Sequence, residues 1–361
     1  ELPGINETVR SSLEKINSTV YDFPTVVRSG NAYYMYFISN RSGINMVYAS
    51  STHNFISWST PVRIPGTAWA SDLSVSASNG LVYLAYVKNS SIILDEGWAT
   101  FFWTIGAFHS NAVHISLYST NHGLFLLETF RSGDRYTYSL IHIVNGNIVK
   151  ERHFDFAGQS YGSISGFWNK LAISYYDHND GNYTIHLILF AENLNSISSY
   201  TYNTGATLKG IVSIAIARGN IIYLSYVSFE RGIYTLEIST FLLNLNLIPI
   251  STFNITSSTF DISNPSITMG WMGNIILAWH QIYELNNTVF ALRLFPIIPV
   301  FLEMQFPFSS HVLEFSALEM PIYAFFKINY SNLFILKNQY FIYSDFTAIS
   351  SLSNIYPLSI P

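Results

Sequence analysis

The chain has 361 residues, a net charge of −5 and 11% charged residues, whereas Tyr and Phe number 25 and 27. Its lysines and arginines form no basic stripe, which argues against nucleic acid as a partner. The chain contains no cysteine, so disulfides and thiolate metal sites are excluded. Three prolines and Glu303 interrupt the most apolar stretch, Leu294 to Phe308, and we therefore expect no membrane span in this chain.

Residues 1–21 form a segment that precedes the first predicted strand. The chain begins at Glu1 rather than Met, from which we expect a mature product whose signal peptide has been removed. Val9 to Ile16 could supply a strand that closes the fold against its last repeat. Residues 22–361 are predicted to form a single domain, because one repeat runs through them without a linker.

Turns rich in Gly and Asn recur about every 48 residues along this domain. They lie at Gly30-Asn31, Asn79-Gly80, His122-Gly123, Asn169, Gly219-Asn220, Gly273-Asn274 and, in a degenerate form, Met320-Pro321. Each turn separates an alternating run from a denser apolar run, such as Leu81 to Val87. Because Gly and Asn accept the positive φ of tight hairpin turns, each pair of runs is predicted to be a β-hairpin.

A third strand follows each hairpin, and a weaker fourth strand usually follows the third. Four antiparallel strands in each repeat of about 40 to 50 residues describe a propeller blade. The turns therefore predict an all-β fold, a β-propeller of seven four-stranded blades. Six blades are the alternative, because the last repeat has lost its Gly/Asn turn.

Asn-x-Ser/Thr sequons are frequent, and they occur at Asn6, Asn17, Asn40, Asn89, Asn182, Asn254, Asn286 and Asn329. Five of them directly follow the second strand of a predicted blade: Asn40, Asn89, Asn182, Asn286 and Asn329. Loops at that point share a face with the connections between blades, so glycans there would coat one face of the disc. The alternative is that Asn and Ser are simply good turn residues.

Acidic residues recur where the chain is predicted to reach the innermost strand of a blade, at Asp22, Asp72, Asp155 and Asp261. Aromatic or imidazole side chains stand at neighbouring positions, Trp69, His109, Tyr161 and His311, and these are candidate ligand-binding residues. Paired carboxylates beside aromatic rings suit sugar binding, and they suit glycoside hydrolysis where one pKa is raised. The alternative is that each Asp caps its own turn.

Metal binding has one candidate segment, Asp177 to Gly181, in which Asp177, Asn179 and Asp180 alternate like half of a calcium loop. The downstream Glu of such a loop is absent, and the segment overlaps the sequon at Asn182. No cofactor is predicted apart from this candidate for Ca²⁺. Glu128 and Glu314 lie within predicted strands, where a buried carboxyl group would need a partner.

The first repeat, from Pro24 to Trp58, resembles blades of sialidase-like propellers and other propeller glycoside hydrolases. Ser51 to Trp58 is similar to the Asp-box turn, Ser-x-Asp-x-Gly-x-x-Trp, with His53 in place of the Asp and Phe55 in place of the Gly. Asp-boxes are structural turns, so the resemblance implies the fold rather than an activity. The composition also resembles that of secreted or surface proteins of thermoacidophilic archaea and their viruses, since few carboxylates means little stability lost in acid.

Catalysis by a sialidase would require three arginines around a carboxylate, and we identify no such set. The sequence favours a non-enzymatic, glycosylated, extracellular propeller that acts as an adhesion or binding module on a cell or virion surface. Its expected partners are other surface or virion proteins, or glycans. The alternative is a secreted glycoside hydrolase or lyase that uses Asp22, Asp72, Asp155 and Asp261 at the channel mouth.

Overall fold

A computed structural model gives the fold of the chain. It describes residues 16–17, 23–40, 43–53, 58–167, 170–179, 182–217, 221–242, 248–270, 275–283, 286–294, 298–302, 322–326 and 341–344. By contact, the chain divides into two compact units, Glu1–Arg293 and Leu294–Pro361. Within the described ranges, no helix is long and apolar enough to cross a membrane.

The first unit is an all-β propeller whose strands we number in chain order, beginning with the short β1 (Ile16–Asn17). Blade 1 contains β2 (Thr25–Ser29), β3 (Ala32–Ser39), β4 (Met46–Thr52) and β5 (Val62–Arg63). Blade 2 contains β6 (Asp72–Ser78), β7 (Leu81–Lys88), β8 (Ser91–Trp98) and β9 (Phe101–His109). Blade 3 contains β10 (His114–Thr120), β11 (Gly123–Ser132), β12 (Arg135–Val144) and β13 (Asn147–Gly158).

The remaining strands of this unit follow the same antiparallel order. Blade 4 contains β14 (Ser163–Phe167), β15 (Lys170–Asn179), β16 (Asn182–Ala191) and β17 (Ser196–Asn203). Blade 5 contains β18 (Thr207–Ala217), β19 (Ile221–Glu230), β20 (Ile233–Leu242) and β21 (Ile248–Ser258). The closing sheet contains β22 (Ile262–Met269), β23 (Ile275–Tyr283) and β24 (Asn286–Leu294), with β1 paired to β24.

Three of the predicted hairpins are confirmed by strand pairing across their turns. Asn79 and Gly80 have φ of 53° and 82° and join β6 to β7 in a two-residue turn. Gly30-Asn31 joins β2 to β3. The turn between β10 and β11 lies one residue earlier than predicted, at Asn121-His122, because Gly123 already pairs with Thr120 as the first residue of β11. The turns at Asn169, Gly219-Asn220 and Gly273-Asn274 lie outside the described residues, although the strands on either side of each turn pair.

The predicted blade count is wrong. Five blades consist of four consecutive strands, whereas the sheet that closes the ring takes its fourth strand from the chain's N-terminal segment, by pairing Ile16 with Val289 and Asn17 with Thr288. Each innermost strand contacts the innermost strand of the next blade, and β22 contacts β2, so the ring is closed without a further blade.

The described strands of the second unit do not pair as a propeller blade, and the predicted turn at Met320-Pro321 lies outside the described residues. These strands are β25 (Ile298–Leu302), β26 (Ile322–Phe326) and β27 (Phe341–Ser344), which pair in parallel as a three-stranded sheet. A propeller blade needs antiparallel hairpins, and the predicted turn had lost the residues that favour one. The prediction of one domain over residues 22–361 stays a prediction, because most of the second unit lies outside the described residues.

The core of the propeller lies between neighbouring blades. Tyr36 and Ile38 of blade 1 pack with Leu73, Leu84 and Tyr86 of blade 2 in one buried cluster. Equivalent clusters join blade 2 to blade 3, blade 3 to blade 4, and blade 4 to blade 5. Each large side chain buried in this way contributes about 1.5–3 kcal/mol. Because a blade packs against a neighbour on each of its two faces, its strands have continuous apolar runs. They do not alternate strictly between apolar and polar residues.

Candidate functional site

The two faces of the propeller unit carry different chain segments. Every innermost strand begins on one face, where the connections between blades and the hairpins from second to third strand also lie; we call it the connection face. Turns from first to second strand, and from third to fourth strand, lie on the other face, which we call the turn face. Hence Asp72, at the start of β6, and Asn89, in the β7–β8 hairpin, share the connection face.

A ladder of side-chain acceptors joins β6 to β10. Asp72 Oδ2 accepts a hydrogen bond from the Ile115 amide at 2.6 Å. Ser74 Oγ accepts one from Leu117 at 2.8 Å, and Ser76 Oγ accepts one from Ser119 at 2.9 Å. The inner edge of an innermost strand has no further strand to pair with, so its buried amides need other partners. The period-2 run from Asp72 to Ser76 supplies them.

The same device recurs around the ring. Ser116 of β10 accepts from the Ile164 amide of β14 at 3.1 Å, and Ser213 of β18 accepts from the Ile267 amide of β22 at 3.1 Å. Hydroxyl groups from all the innermost strands line the central channel, a cavity of about 280 Å³: Thr25, Ser74, Ser116, Ser163, Ser213 and Ser266. The channel therefore has a polar wall, in which hydrogen bonds join neighbouring innermost strands.

His114 lies at the channel mouth on the connection face. Its ring stacks between Phe23, with centroids 5.4 Å apart, and Tyr161, with centroids 4.9 Å apart. Its Nδ1 lies 3.2 Å from Asp72 Oδ1. Asp72 is 1% exposed and His114 is also buried, so both carboxylate oxygens of Asp72 are occupied within the protein. Asp72 therefore binds groups at the start of β10 in the neighbouring blade, the His114 ring and the Ile115 amide, where the alternative predicted a cap on its own turn.

The other predicted acidic residues do not form a described cluster with Asp72. Asp261 directly precedes β22 and is partly exposed. Asp155 lies in β13, the outermost strand of blade 3, rather than at the start of an innermost strand. Asp22 lies outside the described residues.

The candidate ligand-binding residues are also dispersed. Tyr161 is the one that reaches the mouth, through its contacts with the rings of His114 and Tyr136. Trp69 is exposed in the connection before β6 and has a φ of 70°. His109 is the last residue of the outer strand β9, and His311 lies outside the described residues.

Glu128 in β11 is a buried carboxyl group with a raised pKa. It is 3% exposed, and in the part of the chain that the structure describes its Oε1 has no hydrogen-bond partner. Burial raises the pKa of Glu128, a hydrogen bond from Ser110 opposes the rise, and the charge of Glu151 adds to it. The carboxyl group is therefore held towards its protonated form. Glu314, the other glutamate that the sequence placed in a strand, lies outside the described residues.

The calcium candidate has the geometry of an ordinary hairpin in its described part. Asp177 Oδ1 accepts from the His178 amide at 2.9 Å and lies 3.8 Å from Arg135 Nη2. Asn179 ends β15 opposite Asn182, whereas Asp180 lies outside the described residues. No group of three or more His, Asp or Glu side chains suited to a metal ion occurs among the residues described.

Sequons occupy equivalent positions in blades 1, 2 and 4 and in the closing sheet, whereas the corresponding hairpins of blades 3 and 5 carry none. Asn40 follows β3, Asn89 lies between β7 and β8, and Asn182 and Asn286 begin β16 and β24, so all four are on the connection face. Asn89 and Asn182 are exposed, as is Asn254 in the outer strand β21. Asn17 lies in β1, whereas Asn6 and Asn329 lie outside the described residues. Modification of these sites stays a prediction.

An exposed aromatic cluster on the turn face was missed by sequence reasoning. Trp98, Phe101 and Trp103 flank the β8–β9 hairpin and are 57%, 68% and 37% exposed. The sequence signal was the density of aromatic residues in Trp98 to Trp103. It was not informative by itself, because equally aromatic runs form the buried inner strands.

Comparisons with known proteins concern the fold. No family model and no curated protein matches the sequence. Among solved structures, a subtype N10 neuraminidase-like protein of A/little yellow-shouldered bat/Guatemala/060/2010 has a TM-score of 0.54 at 10% identity, covering 77% of this chain and 95% of that chain. A neuraminidase-like protein from A/bat/Guatemala/164/2009 has a TM-score of 0.52 at 9% identity, with 77% and 90% covered.

A third solved structure is more distant. A thermostable family-43 glycoside hydrolase has a TM-score of 0.45 at 13% identity, with 64% of this chain and 91% of that chain covered. At 9% and 10% identity, the two neuraminidase-like structures share the fold and little of the sequence. The described strands of the first unit form a β-propeller, and the chain shares this fold with the two neuraminidase-like structures.

Proposed function

We propose that the protein is a non-catalytic, extracellular carbohydrate-binding propeller that acts as an adhesion or binding module on a cell or virion surface. Its partners would be glycans or other surface proteins. The neuraminidase-like fold and the sequon positions support this function. The charge-poor composition extends the proposal to surfaces exposed to acid, such as those of thermoacidophilic archaea.

The use of Asp72 as a structural acceptor is the observation that carries the proposal. A glycosidase needs carboxyl groups that face the sugar, at roughly 5–9.5 Å from each other. Asp72 is buried and binds His114 and the Ile115 amide, so it stabilises the mouth of the channel instead of facing a substrate. Ser74 and Ser76 likewise accept hydrogen bonds from amides of β10, so Asp72 is one of a series of structural acceptors along β6.

The function is tested by screening the glycosylated, full-length protein on an array of oligosaccharides while the same sugars are assayed for release of reducing ends. We expect binding without turnover. Release of product that disappears in both Asp72→Ser and Asp261→Ala would contradict the proposal. Asp72→Ser keeps a hydroxyl acceptor at position 72 and removes the carboxylate, so it separates a catalytic role from a structural one.

A hydrolase is the second candidate, and Glu128 is the observation that favours it. Burial raises the pKa of Glu128, which is the direction that a general acid in a glycoside hydrolase requires. Turnover that is lost in Glu128→Gln, with sugar binding retained, would establish this candidate. The absence of turnover on the whole array would leave the binding module as the function.

A further inference from the structure

The three exposed rings of the β8–β9 hairpin form one cluster, which we call the aromatic corner (Trp98, Phe101 and Trp103). The rings of Trp98 and Trp103 have centroids 5.1 Å apart and planes at 66°. Phe101 is tilted by 54° against Trp103 at 6.4 Å. The rings are therefore inclined to one another and are not coplanar. Exposed apolar patches of this kind on a soluble domain commonly mark interaction sites.

The hairpin that carries the corner is held in one conformation. Tyr36 of blade 1 donates a hydrogen bond from its hydroxyl to the Ala99 carbonyl at 2.6 Å, and the Phe102 ring packs edge-on against Tyr36 at 6.1 Å. Ala99 has a φ of 55°, and a Cβ on Gly97 would overlap the Phe101 backbone. A rigid turn preserves the arrangement of the rings, so little conformational entropy would be lost when a ligand binds.

Polar groups stand beside the rings. Glu96 lies opposite Trp103 in the β8–β9 register, and Tyr83 lies opposite Glu96 in the β7–β8 register. Burial and then the charge of Glu96 raise the pKa of Tyr83, so its hydroxyl remains a donor while the Glu96 carboxylate is an acceptor. Rings with a nearby donor and acceptor match a pyranose, which presents apolar C–H faces and a rim of hydroxyl groups.

The charges of the hairpin restrict the class of sugar. Residues 91–109 contain two carboxylates, Asp95 and Glu96, and no lysine or arginine. Asp95 is buried and accepts a hydrogen bond from Thr104. An acidic sugar bound at the rings would therefore lie near the Glu96 carboxylate, and this hairpin has no cation to compensate. Nearby like charges repel.

We propose that the aromatic corner is a binding site for neutral carbohydrate, located on the turn face. This site rests on the proposed function and specifies where it resides. The position is consistent with the sequons, because glycans on Asn89 and Asn182 would project from the connection face and leave the turn face uncovered. The protein would then bind sugar with one face while its own glycans coat the other.

The test uses the full-length protein and titration calorimetry with cellohexaose and mannohexaose as neutral probes and 3′-sialyllactose as an acidic probe. We expect a neutral probe to bind, with little heat from 3′-sialyllactose. Trp98→Ala and Trp103→Ala should each weaken binding about tenfold or more, because truncation of a central aromatic contact commonly has that effect. Thermal unfolding of each variant confirms that the exposed side chain was removed without loss of the fold.

Phe101→Ala and Phe260→Ala form a matched pair, because both rings are exposed and Phe260 lies in the connection after β21 on the other face. Phe101→Ala should weaken binding, and Phe260→Ala should leave it within twofold. Neutral sugar binding that survives in Trp98→Ala and Trp103→Ala but fails in Trp69→Gly would overturn the aromatic corner and leave the binding function in place. Failure of every sugar on a broad array would overturn both.

Discussion

At the scale of single residues, the propeller depends on buried acceptors that satisfy the amides of a neighbouring strand. Asp72, Ser74 and Ser76 do so for β10, and Asp72 also holds His114. An unsatisfied buried amide costs about 1–3 kcal/mol. The polar residues of the channel therefore stabilise the fold by satisfying buried amides, whether or not they also bind a ligand.

Asp72→Ala should lower the free energy of unfolding by about 3 kcal/mol, because it leaves the Ile115 amide and His114 without their buried partner. Asp72→Ser should lose less, since a hydroxyl can still accept from the amide. Guanidinium unfolding at neutral pH measures both. Glu192→Ala serves as the control: it removes the partner of the exposed His122 and should cost less than about 1 kcal/mol. Equal losses for Asp72→Ala and Glu192→Ala would contradict the structural role.

Glu128 should make the protein less stable as the pH rises. Its folded pKa is raised above the ordinary value of 4.5, so the native state binds the extra proton. The resulting stabilisation is fully present below the unfolded pKa and is lost as the pH rises through the folded pKa. Compared with the wild type, Glu128→Gln should gain relative stability between acidic and neutral pH. Thermal unfolding of both proteins across this range tests the sign, and parallel pH profiles would refute it.

At the scale of elements, hairpin turns with Gly at positive φ differ in how closely they approach the neighbouring blade. Gly146, in the β12–β13 turn of blade 3, has a φ of 76°, and a Cβ there would overlap the Ile105 carbonyl oxygen of β9. Gly133, in the β11–β12 turn, has a φ of 62° and no neighbour within 4 Å of a Cβ. The two glycines share a backbone conformation and differ in their surroundings.

Gly133→Ala should cost about 1–2 kcal/mol, the cost of a left-handed conformation for a residue with a Cβ. Gly146→Ala should cost more, about 3 kcal/mol, because the added methyl group also separates blade 2 from blade 3. Chemical unfolding of the two variants gives the difference directly. A difference near zero would show that the β9 contact at Gly146 can relax.

The hairpins were the part of the fold that could be predicted from the sequence. Gly30-Asn31 and Asn79-Gly80 predict turns because their backbone requirements are local. The blade count could not be predicted in the same way. Pairing of β1 with β24 joins residues that are far apart in the chain, and the parallel pairing of β26 with β25 does not depend on a turn signal.

Side-chain roles at the candidate site were harder to predict than the strands. Asp72 was recognised as a residue at the channel mouth, yet its partner Ile115 belongs to another blade and has no local signature. The aromatic corner was missed because exposure depends on the position of a strand in its blade. Phe101 in the outer strand β9 and Phe125 in the inner region of blade 3 belong to similar sequence patterns, although Phe125 is fully buried.

At the scale of the whole molecule, the propeller unit has two chemically different faces. The connection face carries Asn40, Asn89, Asn182 and Asn286 together with the buried mouth at His114. The turn face carries the aromatic corner. A protein that is glycosylated on one face and binds on the other would be oriented by its own glycans.

Glycopeptide mass mapping of the protein from its native source should find glycans at Asn89 and Asn182, which are exposed in the hairpins of the connection face. Asn89→Gln and Asn182→Gln should each remove one glycan and leave the fold unchanged, because both side chains are at the surface. Unmodified asparagine at both sites would contradict the prediction that glycans cover the connection face. Unchanged sugar binding in these variants would be consistent with a binding site on the turn face.

The ladder between blades has a direction along the chain. Acceptors on β6, β10 and β18 bind amides of β10, β14 and β22, so in each pair the acceptor is the earlier residue. During synthesis, an emerging innermost strand would find its acceptors already in place on the blade made before it, since segments fold from the N-terminus as they are translated. The blades could thus assemble in chain order, because each folded blade presents the acceptors that the first strand of the next blade needs.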